Sequence, residues 1–358
     1  MVMDVELPTL GERGLRRFQV LQADAISAVT ERFYATNGST YEQYGPRGRD
    51  ACREDLAFLL EFLRPVLEFG LLQPMVDYLS WLGSVLAARA IPVEHVALSL
   101  DWLAAFFAKR MDTADSAVVT GALQAARGRF LEADKLPPGA PKPPEAWPEA
   151  TAFEHALLAG NQRDALAVVT HCMDSGRGLI EVELHVIQPA LYRIGEKWQS
   201  NQATVAHEHM ATAIAQSVMT IGLLRSPPPP PIYKRVLLAC VEGNSHAIGL
   251  RMVADAFQLT GWDVRYLGAN VPTAALVLEA AEWKPDLVGL SVSFAHQFRV
   301  VKDVIAQLGK RVDGARPAVI IGGLAINRFN PLAELVGADA FSADAQAAIV
   351  CANRLMAA

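Results

Sequence analysis

Two rhythms of apolar residues divide the chain. Up to about residue 134, apolar side chains recur at three- and four-residue spacing, as in Asp50-Ala-Cys-Arg-Glu-Asp-Leu-Ala-Phe-Leu-Leu-Glu-Phe-Leu63. That spacing marks one face of an amphipathic helix. It predicts helices over 14–36, 40–70, 73–90, 92–110 and 114–134. Pro46, Pro74 and Pro92 fall at expected first turns, and Asn37-Gly-Ser-Thr40 separates the first two segments. A second helical run covers Glu149–Ala159, Gln162–Ser175, Gly178–Val186, Pro189–Ser200 and Thr204–Leu224. From 232 the rhythm changes to short apolar runs alternating with helices. Strands are expected at Arg235–Cys240, Asp263–Tyr266, Leu287–Ser291, Ala318–Ile321 and Ala340–Phe341. The intervening helices are His246–Thr260, Thr273–Glu282, Phe298–Leu308 and Pro331–Val336, with Ala343–Leu355 last. Strands joined through single helices pair in parallel by right-handed crossovers.

Proline clusters mark the boundaries. Pro137-Pro-Gly-Ala-Pro-Lys-Pro-Pro144 joins neither helix nor sheet, and Ser226 followed by Pro227–Pro231 closes the second helical run. The expected organisation is a multidomain α + α/β chain: an all-α domain at 1–135, a Pro-rich linker at 136–148, a four-helix unit at 149–226 and an α/β domain at 232–358. The last resembles a flavodoxin-like, doubly wound parallel sheet. It carries no phosphate-binding Walker loop or dinucleotide fingerprint.

Composition narrows the function. The net charge is −6 and no Lys/Arg-rich run occurs, which argues against direct nucleic-acid binding. Cys52, Cys172, Cys240 and Cys351 are far apart and read as reduced, buried thiols of a cytoplasmic protein. No signal peptide and no membrane-spanning apolar run is expected. No catalytic nucleophile or acid/base constellation stands out, so the chain is not expected to be an enzyme.

Aromatic residues crowd the first domain: Phe33, Tyr34, Tyr41, Tyr44, Phe58, Phe62, Phe69, Tyr78, Trp81, Trp102, Phe106 and Phe107. They read as core, or as the walls of a site for a flat chromophore whose propionates meet Arg47, Arg49, Arg53, His95 or Arg110. Those charges equally read as a solvated face.

The richest stretch is Val236-Leu-Leu-Ala-Cys-Val-Glu-Gly-Asn-Ser-His-Ala-Ile-Gly249, where an apolar run passes through a polar loop into a helix. His246 then lies at the C-terminal edge of a parallel strand, where open α/β sheets meet their ligands. A lone loop histidine is also a common surface or packing residue. Asn244-Ser-His246-Ala-Ile-Gly249, however, resembles the Asp-x-His-x-x-Gly signature of cobalamin-binding domains. Tyr266-Leu-Gly-Ala-Asn-Val-Pro272, Ser291-Val-Ser293 and Gly322-Gly323 follow in that family's order, over about 120 residues. The resemblance implies that His246 is the lower axial ligand of cobalt. It implies that Ser291, Ser293, Gly322 and Gly323 border the displaced nucleotide tail, and that Gly249, which closes the histidine signature, belongs to the cofactor site. Ordinary strand-end turn chemistry is the other reading of these small residues. The family's aspartate, which hydrogen-bonds the ligand histidine, is Asn244 here, so that partner is neutral or replaced, for instance by Glu242.

A second motif precedes the sheet. Trp198 is followed after nine residues by Glu208-His209, which resembles the Trp-x9-Glu-His signature of adenosylcobalamin-dependent photoreceptors. The resemblance implies that the helical unit caps the corrin and that Trp198 packs on the adenosyl group. It further implies that Glu208 binds the ribose and that His209 approaches cobalt after light. The family's next residue, usually Glu, is Met210 here. Taken alone, Trp198 reads as a packing anchor, and His207 with His209 as a solvated pair or a metal site.

An all-α module joined to such a unit resembles the photocobilins. That implies adenosylcobalamin together with biliverdin, the bilin held non-covalently because Cys52 is the only cysteine of the first domain and is not assigned as an attachment site. It also implies a homo-oligomer whose assembly depends on light, signalling to an effector domain or partner protein. The rival reading is a corrinoid methyl-carrier of a cobalamin-dependent methyltransferase system.

Overall fold

The computed structural model describes residues 7–132, 145–311, 316–329 and 334–357. The proline-rich stretch 137–144 and the start of the helix expected from Pro331 lie outside the described residues. Two compact units divide the chain, Met1–Pro138 and Gly139–Ala358.

In the first unit five α-helices follow one another: α1 (Glu12–Tyr41), α2 (Gly45–Phe69), α3 (Gln73–Ala87), α4 (Glu94–Arg110) and α5 (Thr113–Glu132). Their apolar stripes form the core, with Phe18, Leu21, Ala25, Val29 and Phe33 of α1 buried along one face. The break expected at Asn37-Gly-Ser-Thr40 is absent, because α1 runs through it. Its end is anchored by Tyr41, whose hydroxyl lies 2.7 Å from His95 Nδ1 and whose ring is 5.0 Å from Phe33. That contact overrides the weak helix propensity of Asn37 and Gly38. The turn comes instead at Glu42–Tyr44, before Gly45-Pro46. Pro92 lies just ahead of α4, its carbonyl accepting the His95 N–H at 3.3 Å.

The second unit begins with α6 (Glu149–Leu158) and α7 (Gln162–Asp174). Next come α8 (Leu179–Val182), a π turn (Glu183–Ile187), α9 (Gln188–Gln199) and α10 (Val205–Arg225). The segments expected at 178–186 and 189–200 are therefore one rod with a π turn inside it, and the bundle has four rods. Pro189 explains the irregularity, since it lacks the N–H that an α-helix would aim at the His185 carbonyl. That carbonyl accepts the Trp147 N–H instead, at 2.9 Å. The Trp147 ring stacks on His185, centroids 4.9 Å apart.

The sheet follows: β1 (Arg235–Val241), α11 (Ile248–Leu259), β2 (Asp263–Val271), α12 (Thr273–Trp283), β3 (Leu287–Ser291), α13 (Phe298–Arg311), β4 (Ala318–Gly322), α14 (Leu324–Arg328), β5 (Ala340–Ser342) and α15 (Ala345–Ala357). All pairings are parallel, in the order β2-β1-β3-β4-β5. Every residue of β3, and of β1 after Arg235, is buried, as continuous apolar runs in central parallel strands require. One apolar cluster joins Phe153, Leu157, Val182, Ile187 and Met219 of the bundle to Met252 and Ala256 of α11 and Ala345 of α15. Bundle and sheet thus share a core.

Candidate functional site

The chain leaves β1 towards β2 on one side and returns to β3 on the other, so the order reverses between β1 and β3. At such a reversal the loops diverge and leave a crevice at the C-terminal strand edge. The loop after β1 carries Asn244 and His246, and the ends of β3 and β4 carry Ser291 and Gly322, paired in register. The structure therefore brings His246, Asn244, Ser291, Ser293, Gly322 and Gly323 to one edge.

His246 is reached by solvent, yet enough protein surrounds it that desolvation lowers its pKa. Opposing that shift is the negative charge of Glu208, at the start of α10. The edge of the imidazole meets the Phe294 ring at 5.2 Å. A neutral, accessible imidazole is the form that ligates a metal. Among the described residues no group of three His, Cys, Asp or Glu side chains could hold an ion. A single accessible imidazole suits a metal that brings its other ligands along, as the centre of a macrocycle does.

Asn244 is fully buried and both ends of its amide are engaged. Nδ2 donates to the Ser291 carbonyl at 2.9 Å, and Oδ1 accepts the backbone N–H of His246 at 3.1 Å. It fixes the loop and does not hold the imidazole. Glu242 accepts the Thr273 N–H at the start of α12, at 3.2 Å. The charge acting on His246 is thus that of Glu208, not of Glu242.

Gly323 has φ +103°, and a Cβ there would lie 2.5 Å from the Val292 carbonyl oxygen. Its need for glycine arises within the chain. A Cβ on Gly322 would lie 3.1 Å from the Ser342 carbonyl oxygen. Gly249, in the first turn of α11, is exposed, and a Cβ there would meet nothing within 4 Å.

Trp198 ends α9 and is partly buried. His209, in the second turn of α10, is exposed, its Nδ1 2.6 Å from Glu208 Oε2. Glu208 Oε1 accepts from the Thr212 hydroxyl at 3.0 Å. His207 turns back to cap the helix, its Nδ1 accepting the Thr204 N–H at 3.3 Å. Met210 packs against the bundle core.

In the first unit, Phe33, Tyr41, Phe62, Tyr78 and Phe107 are core residues, whereas Phe58 and Tyr44 are exposed. Arg49 is paired with Glu31 at 3.1 Å and lies over the Tyr34 ring at 4.4 Å, Arg53 pairs with Asp50, and Arg110 lies over Phe106. All four cysteines are free, but only Cys172 and Cys240 are buried; Cys52 and Cys351 are partly exposed, against expectation.

Gln297 escapes the sequence reading, and Asn270 enters it only as part of a motif, with no role. Gln297 and Asn270 bond the backbone of the His246 loop, Gln297 Nε2 to the Gly243 carbonyl at 3.0 Å and Asn270 Oδ1 from the Gly243 N–H at 2.7 Å. Asn270 belongs to the Gly268-Ala-Asn270 stretch and takes φ +51°, a conformation asparagine tolerates and which marks such a position.

B12 binding domain models match residues 234–350 and 149–221. The HTH-type transcriptional repressor CarH of Myxococcus xanthus is 26% identical over 217 residues, 60% of this chain and 71% of its own length. Dimethylamine corrinoid protein 3 of Methanosarcina mazei is 31% identical over 117 residues, 33% of this chain and 69% of its own. The solved monomethylamine corrinoid protein of Methanosarcina barkeri gives a TM-score of 0.48 at 20% identity, over 57% of this chain and 96% of that one. From the helical bundle through the parallel sheet, the chain belongs to the cobalamin-binding, or corrinoid, protein family.

Proposed function

We propose that the chain is a light sensor that binds adenosylcobalamin with His246 in place of the cofactor's own base, and biliverdin non-covalently in the first unit. The observation that carries this reading is Trp198 with Glu208-His209 at the α9–α10 corner, in the unit that holds His246. When bound, adenosylcobalamin supplies a cobalt–carbon bond that visible light breaks. His246 would hold the cobalt from below, while Ser291 and Ser293 would meet the nucleotide tail. Trp198 and Glu208 would enclose the adenosyl group. His209 would be the group that approaches the cobalt after light, since its ring is exposed and, among the described residues, bonded to Glu208.

The aromatic cluster of the first unit, Phe33, Tyr34, Tyr41, Tyr44 and Trp102, is the candidate bilin environment. Burial pushes the Cys52 thiol up to about 11, which leaves little thiolate for covalent attachment. The output is a change in domain packing and oligomeric state, read by an effector domain or partner protein rather than by catalysis in this chain. Free thiols fit a cytoplasmic location, and no helix among the described residues is long and apolar enough to cross a membrane.

A second reading, a methyl-carrying corrinoid protein, is favoured by the similarity to the dimethylamine corrinoid protein. Absorption spectra separate the two. Protein loaded in darkness with adenosylcobalamin, with and without biliverdin, is illuminated with green and red light, alongside His209→Ala. A light-driven change altered by His209→Ala, with a shifted far-red band when biliverdin is present, is the expected result. Spectra no different from those of free cofactor would reject the sensor and leave the methyl carrier.

A further inference from the structure

Gln297 is 1% exposed and sits in the helical turn after β3. Its Oε1 accepts the backbone N–H of Ser293 at 2.9 Å and of Phe294 at 3.1 Å, while Nε2 donates to the Gly243 carbonyl at 3.0 Å. One neutral amide thus bonds the loop that carries His246 and the loop that carries Ser293. The Asn244–Ser291 bond joins the same two loops one layer deeper, but by way of the strand end. Asn270 holds Gly243 from the β2 side and does not reach the Ser293 loop. Beside the Phe294 ring against His246 at 5.2 Å, Gln297 is the amide that bonds the backbone of both loops at once.

We infer that Gln297 is a positioning residue that makes two steps of corrinoid capture cooperative: cobalt ligation by His246 and seating of the nucleotide tail beside Ser293. A rigid link between two half-sites lets the first contact lower the ordering cost of the second. The inference rests on His246 as lower ligand. It adds a prediction about ligand class: corrinoids with a nucleotide tail gain from the bridge, and tail-less cobinamides do not.

Gln297→Glu isolates the bridge. A carboxylate still accepts the Ser293 and Phe294 N–H groups but presents an oxygen to the Gly243 carbonyl. Loss of one net hydrogen bond is worth about threefold to tenfold in affinity. Full-length chain is titrated with aquacobalamin and with diaquacobinamide, following absorbance, at about pH 5.5 and pH 8. The expected result is a threefold to tenfold loss for aquacobalamin at pH 8, with cobinamide changed less than twofold. That loss shrinks at pH 5.5 relative to the unchanged chain, because a protonated carboxyl again donates to Gly243. Gln297→Met, uncharged and of similar length, serves if the glutamate variant fails to fold. Equal losses for both ligands, or no loss for either, would overturn the bridge. If His246→Ala leaves both affinities and the bound spectrum unaltered, the fault lies with the ligand assignment and not with Gln297.

Discussion

At the scale of single residues, Asn244 shows how a departure from a motif is absorbed by backbone chemistry. Its NH₂ donates to the Ser291 carbonyl, a bond that no carboxylate can make. Asn244→Asp would press a fully buried charge against a carbonyl oxygen. We expect a destabilisation of about 1–3 kcal/mol at neutral pH, seen as a lower thermal midpoint, even though aspartate is the residue the motif prefers. An unchanged midpoint would mean the loop rearranges freely. His246, Trp198, Glu208 and His209 were singled out by their spacing, which is a property of the chain itself. Gln297 was not, since its meaning lies in partners 54 residues away in the chain and on a different loop. Glu242 misled for the same reason. Proximity in sequence suggested the histidine, whereas the peptide turn delivers its carboxylate to the start of α12.

At the scale of elements, the π turn does more than accommodate Pro189. It carries Glu183, fully buried, with neither carboxyl oxygen meeting a donor among the described residues. Asp255 of α11 lies beside it, 1% exposed, its Oδ1 taken by Arg251 Nε at 2.8 Å and its Oδ2 without a donor. A proton shared between the two carboxyls satisfies both. Burial, followed by the neighbouring Asp255, pushes Glu183 well above the ordinary carboxyl range, and burial raises Asp255 against the pull of Arg251. A raised folded value means the folded chain keeps a proton that the unfolded chain releases. This contribution is therefore fully present below the usual carboxyl range and is lost as pH rises through Glu183's raised value. Glu183→Gln supplies the donor permanently. We expect it to raise the thermal midpoint at about pH 8 by roughly 2–4 °C, for a gain of about 1 kcal/mol, and to flatten the fall of stability with pH. A midpoint that falls equally at all pH values would show that the proton is not shared. Helices and strands were mostly legible, because periodicity is a local property. The exceptions, α1 running through Asn37-Gly-Ser-Thr40 and α8 joining α9, arise where a distant contact supplies what local propensity lacks: Tyr41 on His95 in one case and Trp147 on His185 in the other.

At the scale of the whole molecule, the change of rhythm near 232 located the sheet, and the single-helix connections implied its parallel pairing. The core shared by bundle and sheet was not legible, because nothing in the α11 or α15 pattern distinguishes an apolar face turned to a strand from one turned to a helix. The prolines before β1 have a meaning beyond that of a boundary. Residues 226–234 run from α10 to β1, the Ile232 N–H bonds the Gly261 carbonyl at 2.9 Å, and a Cβ on Gly261 would lie 2.4 Å from the Pro230 oxygen. The bundle is therefore tethered to the sheet by a short, stiff strap docked at its far end, which keeps its effective concentration over the β-strand edge at about millimolar or above even when its contacts open. Re-closure of the bundle is then a first-order event, whereas association of chains is second-order. When protein over a hundredfold dilution range is mixed with excess cobalamin, the closing phase should keep one rate constant, while any assembly phase slows in proportion to protein. A closing rate that scales with concentration would show that the strap does not hold the bundle in place.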